Sequence, residues 1–381
     1  MHEEGPRGQD QVGKLMRALG LMSGTSMDGI DVAMIDTDGE DRLTRGPAMS
    51  FPYTAEFRAV LVEALADARL IRSRRERPGT LAEVERTLTE LHAAAASAFL
   101  RKQGVERASV DVIGFHGQTV LHQPRDGLTV QLGLGQMLAD LTARPVVYDL
   151  RAADVAAGGE GAPLVPVYHR ALAGHLSQRP LAILNIGGVA NVTWIGEDGA
   201  LLAFDTGPGN ALIDDWMMRH IGVPCDEDGR IAARGDVQED VVHAYLNHSF
   251  FGQPPPKSLD RAAFVCDLAE GLSVEDGAAT LAAVTASAIA RARDHFPAQP
   301  ELWIVCGGGR RNRTLMRLIA ERVENAVAPA EAAGFNGDAI EAEAWAYLAV
   351  RSLKGLPITF PGTTGIDVPL TGGRLARPIP G

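Results

Sequence analysis

The stretch "GLMSGTSMDGID", from Gly20 to Asp31, decides how the chain folds. It places three glycines, two serines, a threonine and two aspartates between apolar residues, so backbone N–H groups and hydroxyls can approach an anion. It is not a Walker loop, because residues 24–29 contain no lysine and the following "IDVAMIDT" is typical of a strand. The sequence therefore predicts a hairpin, whose turn is either an ordinary glycine turn or a phosphate site.

The same pattern returns in the second half of the chain. There, "LAILNIGGVANVTWIGEDG" (181–199) again combines an apolar strand, a polar turn with two glycines and a second strand. Segments with apolar residues at helical spacing separate the strands in both halves, for example 54–70, 80–104 and 272–296. Two halves that begin alike predict a duplicated α/β domain, with a ligand held between the two turns.

Length and composition indicate a globular protein of two domains. At 381 residues the chain is too long for one ordinary core, and its 46% hydrophobic and 22% charged residues suit a soluble protein. The net charge of −12 argues against broad contact with nucleic acid or an anionic membrane. The three cysteines show no C-x-x-C spacing, and no long apolar run occurs, so we expect a cytoplasmic protein.

The domain limits follow from shifts in composition. Residues 1–17 are polar and mixed in charge, which predicts a disordered tail. The segment "RAADVAAGGEGAPLVPVYHRALAG" is rich in glycine and proline and predicts a crossing between domains. We therefore expect domain I over 18–150, completed by 351–381, and domain II over 151–350.

Four features carry candidate chemistry. Asp205 ends an apolar strand and is followed by glycines, so it is either an exposed base or a cap of the next helix. The run 307–309 is either a tight turn or a flat surface for an adenosine. His116 in "GFHGQT" is more often a hydrogen-bonded structural residue than a base, although substrate contact is open. Arg151 is expected to pair with Asp154 or to meet an anionic group.

A series of short motifs gives these features a common meaning. In order from Leu19 to Leu353, the chain resembles the anhydro-N-acetylmuramic acid kinases in "LGLMSGTSMDGID", "GFHGQT", "DVAAGGEGAPLVP", "LNIGGVANVT", "FDTGPGNALID", "PPKS" and "CGGGRRN". The resemblance implies the α/β actin-like ATPase fold, in which two ribonuclease H-like domains enclose ATP and substrate in a central cleft. It also implies Mg²⁺ on the ATP phosphates, with Asp28 as one candidate ligand and no assigned metal site.

The resemblance also implies the roles of individual residues. Asp205 matches the catalytic base. The residues implied in ATP binding are Ser23, Gly24, Thr25, Ser26, Met27, Asp28, Gly29, Ile30, Asp31, Gly187, Gly188, Gly207, Gly209, Asn210, Gly307, Gly308 and Gly309. Those implied in sugar binding are His116, Gln118, Thr119, Arg151 and Glu341.

The activity implied is an ATP-dependent opening of the anhydro ring with phosphorylation of O6. A kinase for another sugar or carboxylate, and a nucleotide switch without metabolic activity, are the alternatives. The expected partners are an anhydro amino sugar and ATP, with no nucleic acid or membrane, and a homodimer is left open. Two departures from the family pattern, Leu134 and Leu259–Asp260, leave details of substrate range open.

Overall fold

The computed structural model describes residues 13–24 and 26–379. These residues divide into two compact units, which are described separately. The first unit runs to Gly174 and resumes at Glu341, and the second spans His175–Ile340. The sequence pattern predicts a first domain that ends at residue 150 and resumes at residue 351. In the structure the first unit instead continues past residue 150 and resumes before residue 351.

Groups of β-strands are separated by helices along the described chain, as the hydrophobic pattern predicts. In chain order they are β1 (Met16–Met22), β2 (Gly29–Thr37), β3 (Leu43–Pro52), β4 (Val112–Phe115), β5 (Gln118–Gln123), β6 (Leu128–Leu132), β7 (Val146–Tyr148), β8 (Leu181–Ile186), β9 (Val189–Ile195), β10 (Leu201–Pro208), β11 (Leu302–Cys306), β12 (Ala326–Pro329) and β13 (Arg374–Ala376).

The helices include every long helical segment that the sequence predicts. They are α1 (Ala55–Ala68), α2 (Leu81–Gln103), α3 (Gly135–Thr142), α4 (Ala152–Ala156), α5 (Pro166–Leu172), α6 (Ala211–Ile221), α7 (Glu239–Leu246), α8 (Val274–Arg291), α9 (Arg313–Val323), α10 (Ile340–Leu353) and α11 (Pro361–Thr364). Ser273 caps α8 as predicted, since its hydroxyl accepts the N–H of Asp276 at 3.0 Å. Among the described residues, no helix has the length and apolar character that crossing a bilayer requires.

The first unit is built on a six-stranded sheet in the order β13-β7-β4-β1-β2-β3. Strands β1, β2 and β3 are consecutive and antiparallel, whereas β4 and β7 extend the sheet in parallel from β1. A separate two-stranded ribbon, β5 with β6, follows β4. The carboxyl ends of β1, β4 and β7 consequently lie at the same edge of the sheet.

The second unit repeats this arrangement in a five-stranded sheet, in the order β10-β9-β8-β11-β12. Here β8, β9 and β10 are antiparallel, and β11 and β12 follow in parallel. Three antiparallel strands followed by two parallel strands, in the same spatial order, therefore occur twice. The repeat confirms the predicted duplication of an α/β domain with ribonuclease H-like topology.

Helix α10 packs on one face of the first sheet, and two glycines make the room. A Cβ on Gly20 would lie 1.8 Å from the carbonyl oxygen of Ala342, and one on Gly114 would lie 2.0 Å from that of Trp345. Successive side chains of a strand point to opposite faces, so Phe115 enters the core that includes residues of α2. The sheet therefore separates an α10 side from an α2 side.

The predicted tail is too long at its inner end. Strand β1 begins at Met16, and the guanidinium of Arg17 pairs with Asp36 of β2 at 2.9 Å. Strand pairing therefore orders the last two residues of the segment predicted as disordered. Residues 1–12 of that segment lie outside the described residues.

Strand β10 also differs from the sequence expectation, because it continues past Asp205 to Pro208. A bulge between Asp205 and Gly207 shifts its register against β9. Since β10 is an edge strand, a proline and a glycine near its end do not terminate it.

Candidate active site

The turn between β1 and β2 is held in shape by hydrogen bonds from its own unit. The buried hydroxyl of Ser23 donates to Gln118 Oε1 at 2.7 Å and lies 2.8 Å from the hydroxyl of Tyr53. The amide of Gln118 donates to the Gly24 carbonyl at 3.0 Å. Met27 takes a left-handed φ of 52° and donates its N–H to the same carbonyl at 3.1 Å. These contacts tie Ser23, Gly24 and Met27 to one another and to the rest of the first unit.

The packing of the described residues requires glycine at position 29 of this turn but not at position 24. A Cβ on Gly29 would lie 2.5 Å from the carbonyl oxygen of Phe51, so strand packing requires glycine there. Gly24 has no left-handed φ, and a Cβ on it would meet nothing closer than Ser26 Oγ at 3.7 Å among the described residues. The described structure does not itself require Gly24, as expected where a ligand approaches the backbone. Thr25, predicted beside it, lies outside the described residues.

The other predicted residues of the turn divide between surface and core. Ser26 donates to Asp28 Oδ1 at 2.9 Å, and Ser50 donates to Asp31 Oδ1 at 2.5 Å. The side chain of Ile30 is buried in the core that includes residues of α2. Only the backbone of Ile30 is therefore available to a ligand.

His116 connects the turn to Arg151. Its Nδ1 lies 2.9 Å from the Ser23 carbonyl oxygen and 2.7 Å from that of Gly117, so Nδ1 carries the proton. Its Nε2 then accepts from Arg151 Nη2 at 3.3 Å. Burial, followed by the charge of Arg151, lowers the pKa of His116 to about 3. The imidazole is neutral and hydrogen-bonded, and a substrate contact stays a prediction.

Arg151 is a largely enclosed cation. Its guanidinium lies 5.3 Å from the Trp345 ring centroid and donates to the Gly161 carbonyl at 2.8 Å. Burial lowers its pKa to about 10, so it stays charged, and its Nε has no hydrogen-bond partner in the described part of the chain. The predicted pair with Asp154 is wrong, because that carboxylate accepts from the N–H of Gly161 and the hydroxyl of Thr364. A contact of Arg151 with an anionic group stays a prediction.

Gln131 is a candidate that sequence reasoning missed. Its amide nitrogen lies 2.9 Å from Thr129 Oγ1 and 3.3 Å from Thr119 Oγ1. Its Oε1 is buried and has no partner among the described residues. An unpaired buried acceptor costs free energy, so a ligand donor is expected at this atom. The available signal was its position in "VQLGLG", two residues before a glycine turn.

Glu341 lies in the first turn of α10. Desolvation, followed by the charges of Asp31 and Asp28, raises its pKa, and Arg151 acts in the opposite direction. Three carboxylates of the first unit therefore influence one another. Within residues 13–24 and 26–379, no group of three or more His, Cys, Asp or Glu could hold a metal ion.

In the second unit, the turn between β8 and β9 is closed by the start of α6. The N–H groups of Gly209 and Ala211 donate to the Gly188 carbonyl at 2.9 and 3.2 Å. The N–H of Asn210 donates to the Gly187 carbonyl at 2.8 Å. The glycine turn and the N-terminus of a helix therefore form one structure, and both are features that bind anions.

The predicted glycines of this unit fall into two groups. In the first group a Cβ would lie 2.8 Å or less from another atom, so packing requires Gly207, Gly209, Gly307 and Gly309. In the second group a Cβ would have 3.5 Å or more of room, and the backbone is not left-handed: Gly187, Gly188 and Gly308. The second group is the one that the described packing does not explain.

Asp205 is held through one carboxylate oxygen, and its other oxygen has no hydrogen-bond partner among the described residues. Its N–H donates to the Lys257 carbonyl at 3.0 Å, and its Oδ2 accepts the N–H of Leu259 at 2.7 Å. The alternative role as a helix cap is wrong, since Asn210 precedes α6. Desolvation raises the pKa of Asp205 to about 7, against the Leu259 hydrogen bond, which lowers it. An oriented carboxylate with a pKa near neutrality has the properties of a general base.

Arg261 is a second candidate that sequence reasoning missed. Its Nε lies 3.5 Å from the position that a Cβ on Gly188 would take. It pairs with Asp215 at 2.9 Å, and both side chains are exposed. An exposed guanidinium beside a glycine turn suits a phosphate oxygen. The surrounding segment "KSLDRAAF" departs from the family motif, so the resemblance gives no correspondence there.

The fold and these side chains define a class of protein. Two ribonuclease H-like units, each with a glycine turn after its first strand, and one oriented carboxylate belong to phosphotransferases of the actin-like ATPase class, which includes sugar kinases. The family comparison is more specific, because the model described as "Anhydro-N-acetylmuramic acid kinase" matches residues 16–376. The chain belongs to the anhydro-N-acetylmuramic acid kinase family.

Curated relatives agree over nearly the whole length. The chain is 57% identical over 372 residues to the anhydro-N-acetylmuramic acid kinase of Azorhizobium caulinodans, covering 96% of this chain and 100% of that protein. It is 52% identical over 370 residues to the enzyme of the same name from Brucella canis. That match covers 96% of this chain and 99% of the Brucella protein.

Solved structures with a similar fold are more distant. An activator of 2-hydroxyisocaproyl-CoA dehydratase from Clostridium difficile, with bound ADPNP, has a TM-score of 0.44 at 15% identity, covering 89% of this chain and 96% of that one. A ROK family glucokinase from Streptomyces griseus, in complex with glucose and AMPPNP, has a TM-score of 0.41 at 14% identity. The match covers 88% of this chain and 99% of that one. Similarity at this level adds nothing to the argument on function.

Proposed function

We propose that this enzyme uses ATP to open 1,6-anhydro-N-acetylmuramic acid hydrolytically and to phosphorylate O6. The products are N-acetylmuramic acid 6-phosphate and ADP, as cell-wall recycling and amino-sugar catabolism require. The observation that carries the mechanism is Asp205, held through Oδ2 with a pKa of about 7. Membership of the family supplies the substrate. A cytoplasmic location and a homodimer are further proposals, which cell fractionation and light scattering test.

Asp205 acts as the general base in this proposal. Its free oxygen takes a proton from the water that attacks the anomeric carbon, the C1–O6 bond breaks, and the released O6 attacks the γ-phosphoryl group. The carboxylate needs no large movement, because the N–H of Leu259 already orients it. Backbone N–H groups of the two glycine turns stabilise charge on the phosphoryl oxygens.

The nucleotide is assigned to the residues whose chemistry suits phosphate. The backbone around Gly24 and the turn at Gly187 and Gly188 bind phosphate oxygens, with Arg261 as an added cation. Gly308 offers an open surface to the adenosine. Support comes from the room that the described packing leaves at these four glycines.

We propose that carboxylates of the first turn would hold Mg²⁺ beside the ATP phosphates. The donor set suits this ion, because Asp28 and Asp31 supply carboxylate oxygens on the first turn, and Mg²⁺ is usually held by one or two carboxylates plus phosphates. Bound there, Mg²⁺ would neutralise negative charge on the phosphates.

The sugar is assigned to the first unit. Arg151 has an unpaired Nε for the carboxylate of the lactyl group, and Gln131 has an unpaired Oε1 for an amide or hydroxyl donor. Thr119 and Glu341 offer further polar contacts. Gln118 positions the turn, and His116 positions Arg151.

A substrate panel tests the proposal against its alternatives. ADP release is measured with the anhydro amino sugar, N-acetylmuramic acid, N-acetylglucosamine, glucose and acetate. Release stimulated only by the anhydro sugar, with one new reducing end per ADP, supports the proposal. Stimulation by another sugar or by acetate favours the other kinase, and nucleotide hydrolysis that no substrate stimulates favours the switch.

The two unexplained turn glycines give a prediction about ATP. Gly24→Ala and Gly188→Ala should each weaken ATP binding about 10- to 100-fold. The added methyl group would block the approach of a phosphate oxygen to the backbone and so remove a charge-assisted hydrogen bond. Affinity for the anhydro sugar should change little. Calorimetry with each ligand measures both values.

Matched controls exclude a general effect of glycine replacement. Gly174→Ala and Gly252→Ala place a methyl group where no atom lies within 4 Å, and neither residue has a left-handed φ. Both controls should bind ATP normally. Equal losses for ATP and sugar in the turn variants would contradict the assignment.

The pKa of Asp205 predicts the pH profile. A base with a pKa of about 7 is protonated below that pH, so kcat/KM for the sugar should fall about tenfold per pH unit below 7 and level off above it. Initial rates from pH 5.5 to 9 at saturating ATP measure the profile. A profile that stays flat through pH 7 would exclude Asp205 as the titrating base.

The anomer of the first product tests the order of bond changes. Water attacking once must approach the face opposite the departing O6, which the bridge holds on the β face, so the 6-phosphate should appear as the α anomer. Rapid NMR before mutarotation detects it. The β anomer as first product would require a covalent intermediate and would exclude direct attack by water.

A further inference from the structure

The first unit contains a cavity of about 850 Å³, most of whose lining residues have no role in the proposed reaction. We call it the arginine recess. Its walls are the segment 73–77 before α2, the end of β6 with the start of α3, the end of β7, and Arg374 of β13. It opens at the carboxyl ends of β4 and β7, the sheet edge where α/β proteins bind ligands.

The recess lies mainly on the α2 side of the sheet. Phe115, which faces the core that includes α2 residues, lines it, whereas Trp345 and Arg151 stack on one another on the α10 side. His116 borders both regions, with its ring 4.6 Å from that of Trp345. The recess therefore shares His116 and Gln131 with the proposed sugar residues but does not include Arg151, Thr119 or Glu341.

Buried ion pairs hold the walls together. Glu85, which is 4% exposed, accepts two hydrogen bonds from Arg77 at 2.7 and 2.8 Å and one from the N–H of Gly133 at 2.9 Å. Arg74 pairs with Asp149 and donates to the Thr129 carbonyl at 3.0 Å. These contacts join α2, β6 and the end of β7, so the recess has a fixed shape.

Two further arginines line the recess without neutralising partners. Arg75 is exposed and makes no ion pair among the described residues. Arg374 lies 5.4 Å from the Tyr148 ring centroid and has no carboxylate within ion-pair distance in the same part of the chain. Four arginines therefore face two carboxylates, Glu85 and Asp149, in a chain whose net charge is −12.

The start of α3 adds donors to this positive region. The N–H of Leu138 is the first of the helix to reach a backbone carbonyl, that of Leu134 at 2.9 Å. The N–H groups of Gly135 and Gln136, both in the recess wall, therefore have no acceptor in the helix. They line the same recess as the guanidinium groups of Arg75 and Arg374.

We propose that the arginine recess binds a small sugar phosphate. A phosphate monoester carries a charge of about −1.5 to −2 at pH 7, which matches the two unpaired arginines, and its oxygens suit guanidinium forks. The volume exceeds the need of inorganic phosphate and lies in the range of small-molecule sites, about 300 to 1,000 Å³. Polar side chains of the recess that have no role in the proposed reaction, Ser73 and Gln136, suit the hydroxyls of a sugar.

The probe is N-acetylglucosamine 6-phosphate, titrated calorimetrically into the full chain and compared with inorganic phosphate and neutral N-acetylglucosamine. The sugar phosphate should bind at least about tenfold more tightly than either. Arg75→Gln with Arg374→Gln should weaken its binding about 10- to 100-fold, and Arg75→Gln alone should give part of that loss. Arg125→Gln, an exposed arginine of the same unit, should have no effect.

Equal affinity of wild type and the double variant would overturn the proposal, as would equal affinity for phosphate and the sugar phosphate. Thermal melting checks that the double variant is folded, and the single exposed variant provides a second reading of the same site. Basal ADP formation should be unchanged in both variants. The titration involves no turnover, so its outcome is independent of the reaction proposed above.

Discussion

Asp205→Asn is expected to lower turnover about 10²- to 10⁴-fold, the range of a positioned acid-base group, and to leave ATP binding intact. The amide can still accept the N–H of Leu259, so the loop and strand keep their connection. What is lost is the ability to take a proton from water. Steady-state ADP formation and calorimetry with ATP measure the two effects.

The matched control is Asp240→Asn, which removes an exposed carboxylate from α7 in the same unit. It should have nearly normal turnover. If Asp205→Asn also retains turnover within a few-fold of wild type, another group is the base. Asp214 would then be the first alternative, because burial and its neighbour Asp215 raise its pKa to about 6.

Stability provides an independent readout of the same substitution. The pKa of Asp205 rises from 3.8 to about 7 on folding, so the folded protein holds the proton more tightly than the unfolded chain. The stability linked to this group is complete below pH 3.8 and is lost as pH rises through about 7. Asp205→Asn should therefore melt above wild type at pH 8, with the difference closing towards pH 4.

Local patterns predicted most of the fold. The hairpin of β1 and β2 could be recognised because alternating apolar residues and a glycine turn act within a dozen positions, and the second unit repeats that signal. The end of β10 could not, because Gly207 and Pro208 normally break a strand and only an edge position tolerates them.

The candidate site was predicted as a set of residues but not as an arrangement. The pair of Arg151 with Asp154 failed because the backbone of Gly161 takes hydrogen bonds with both side chains. Gln131 was missed because an unpaired buried oxygen is visible only in coordinates. The glycines that packing requires could likewise be separated from Gly24 only by the space around each one.

The long-range packing of α10 is the feature that the sequence conceals, and it gives the last prediction. Gly20→Ala should destabilise the protein by about 3 kcal/mol or more, because the methyl group would lie 1.8 Å from the backbone oxygen of Ala342. A flexible side chain could relieve the clash by changing its rotamer, but a backbone oxygen cannot. The helix itself therefore has to move. Urea denaturation measures the loss.

Gly174→Ala is the control, since no atom lies within 4 Å of its Cβ position, and its stability should stay within about 0.5 kcal/mol of wild type. Helix α10 also carries Glu341 and Trp345. The guanidinium of Arg151 stacks on the Trp345 ring. Any folded Gly20→Ala protein should therefore bind the sugar more weakly. A variant as stable as wild type with normal sugar affinity would contradict the close packing of α10 on β1 at Gly20.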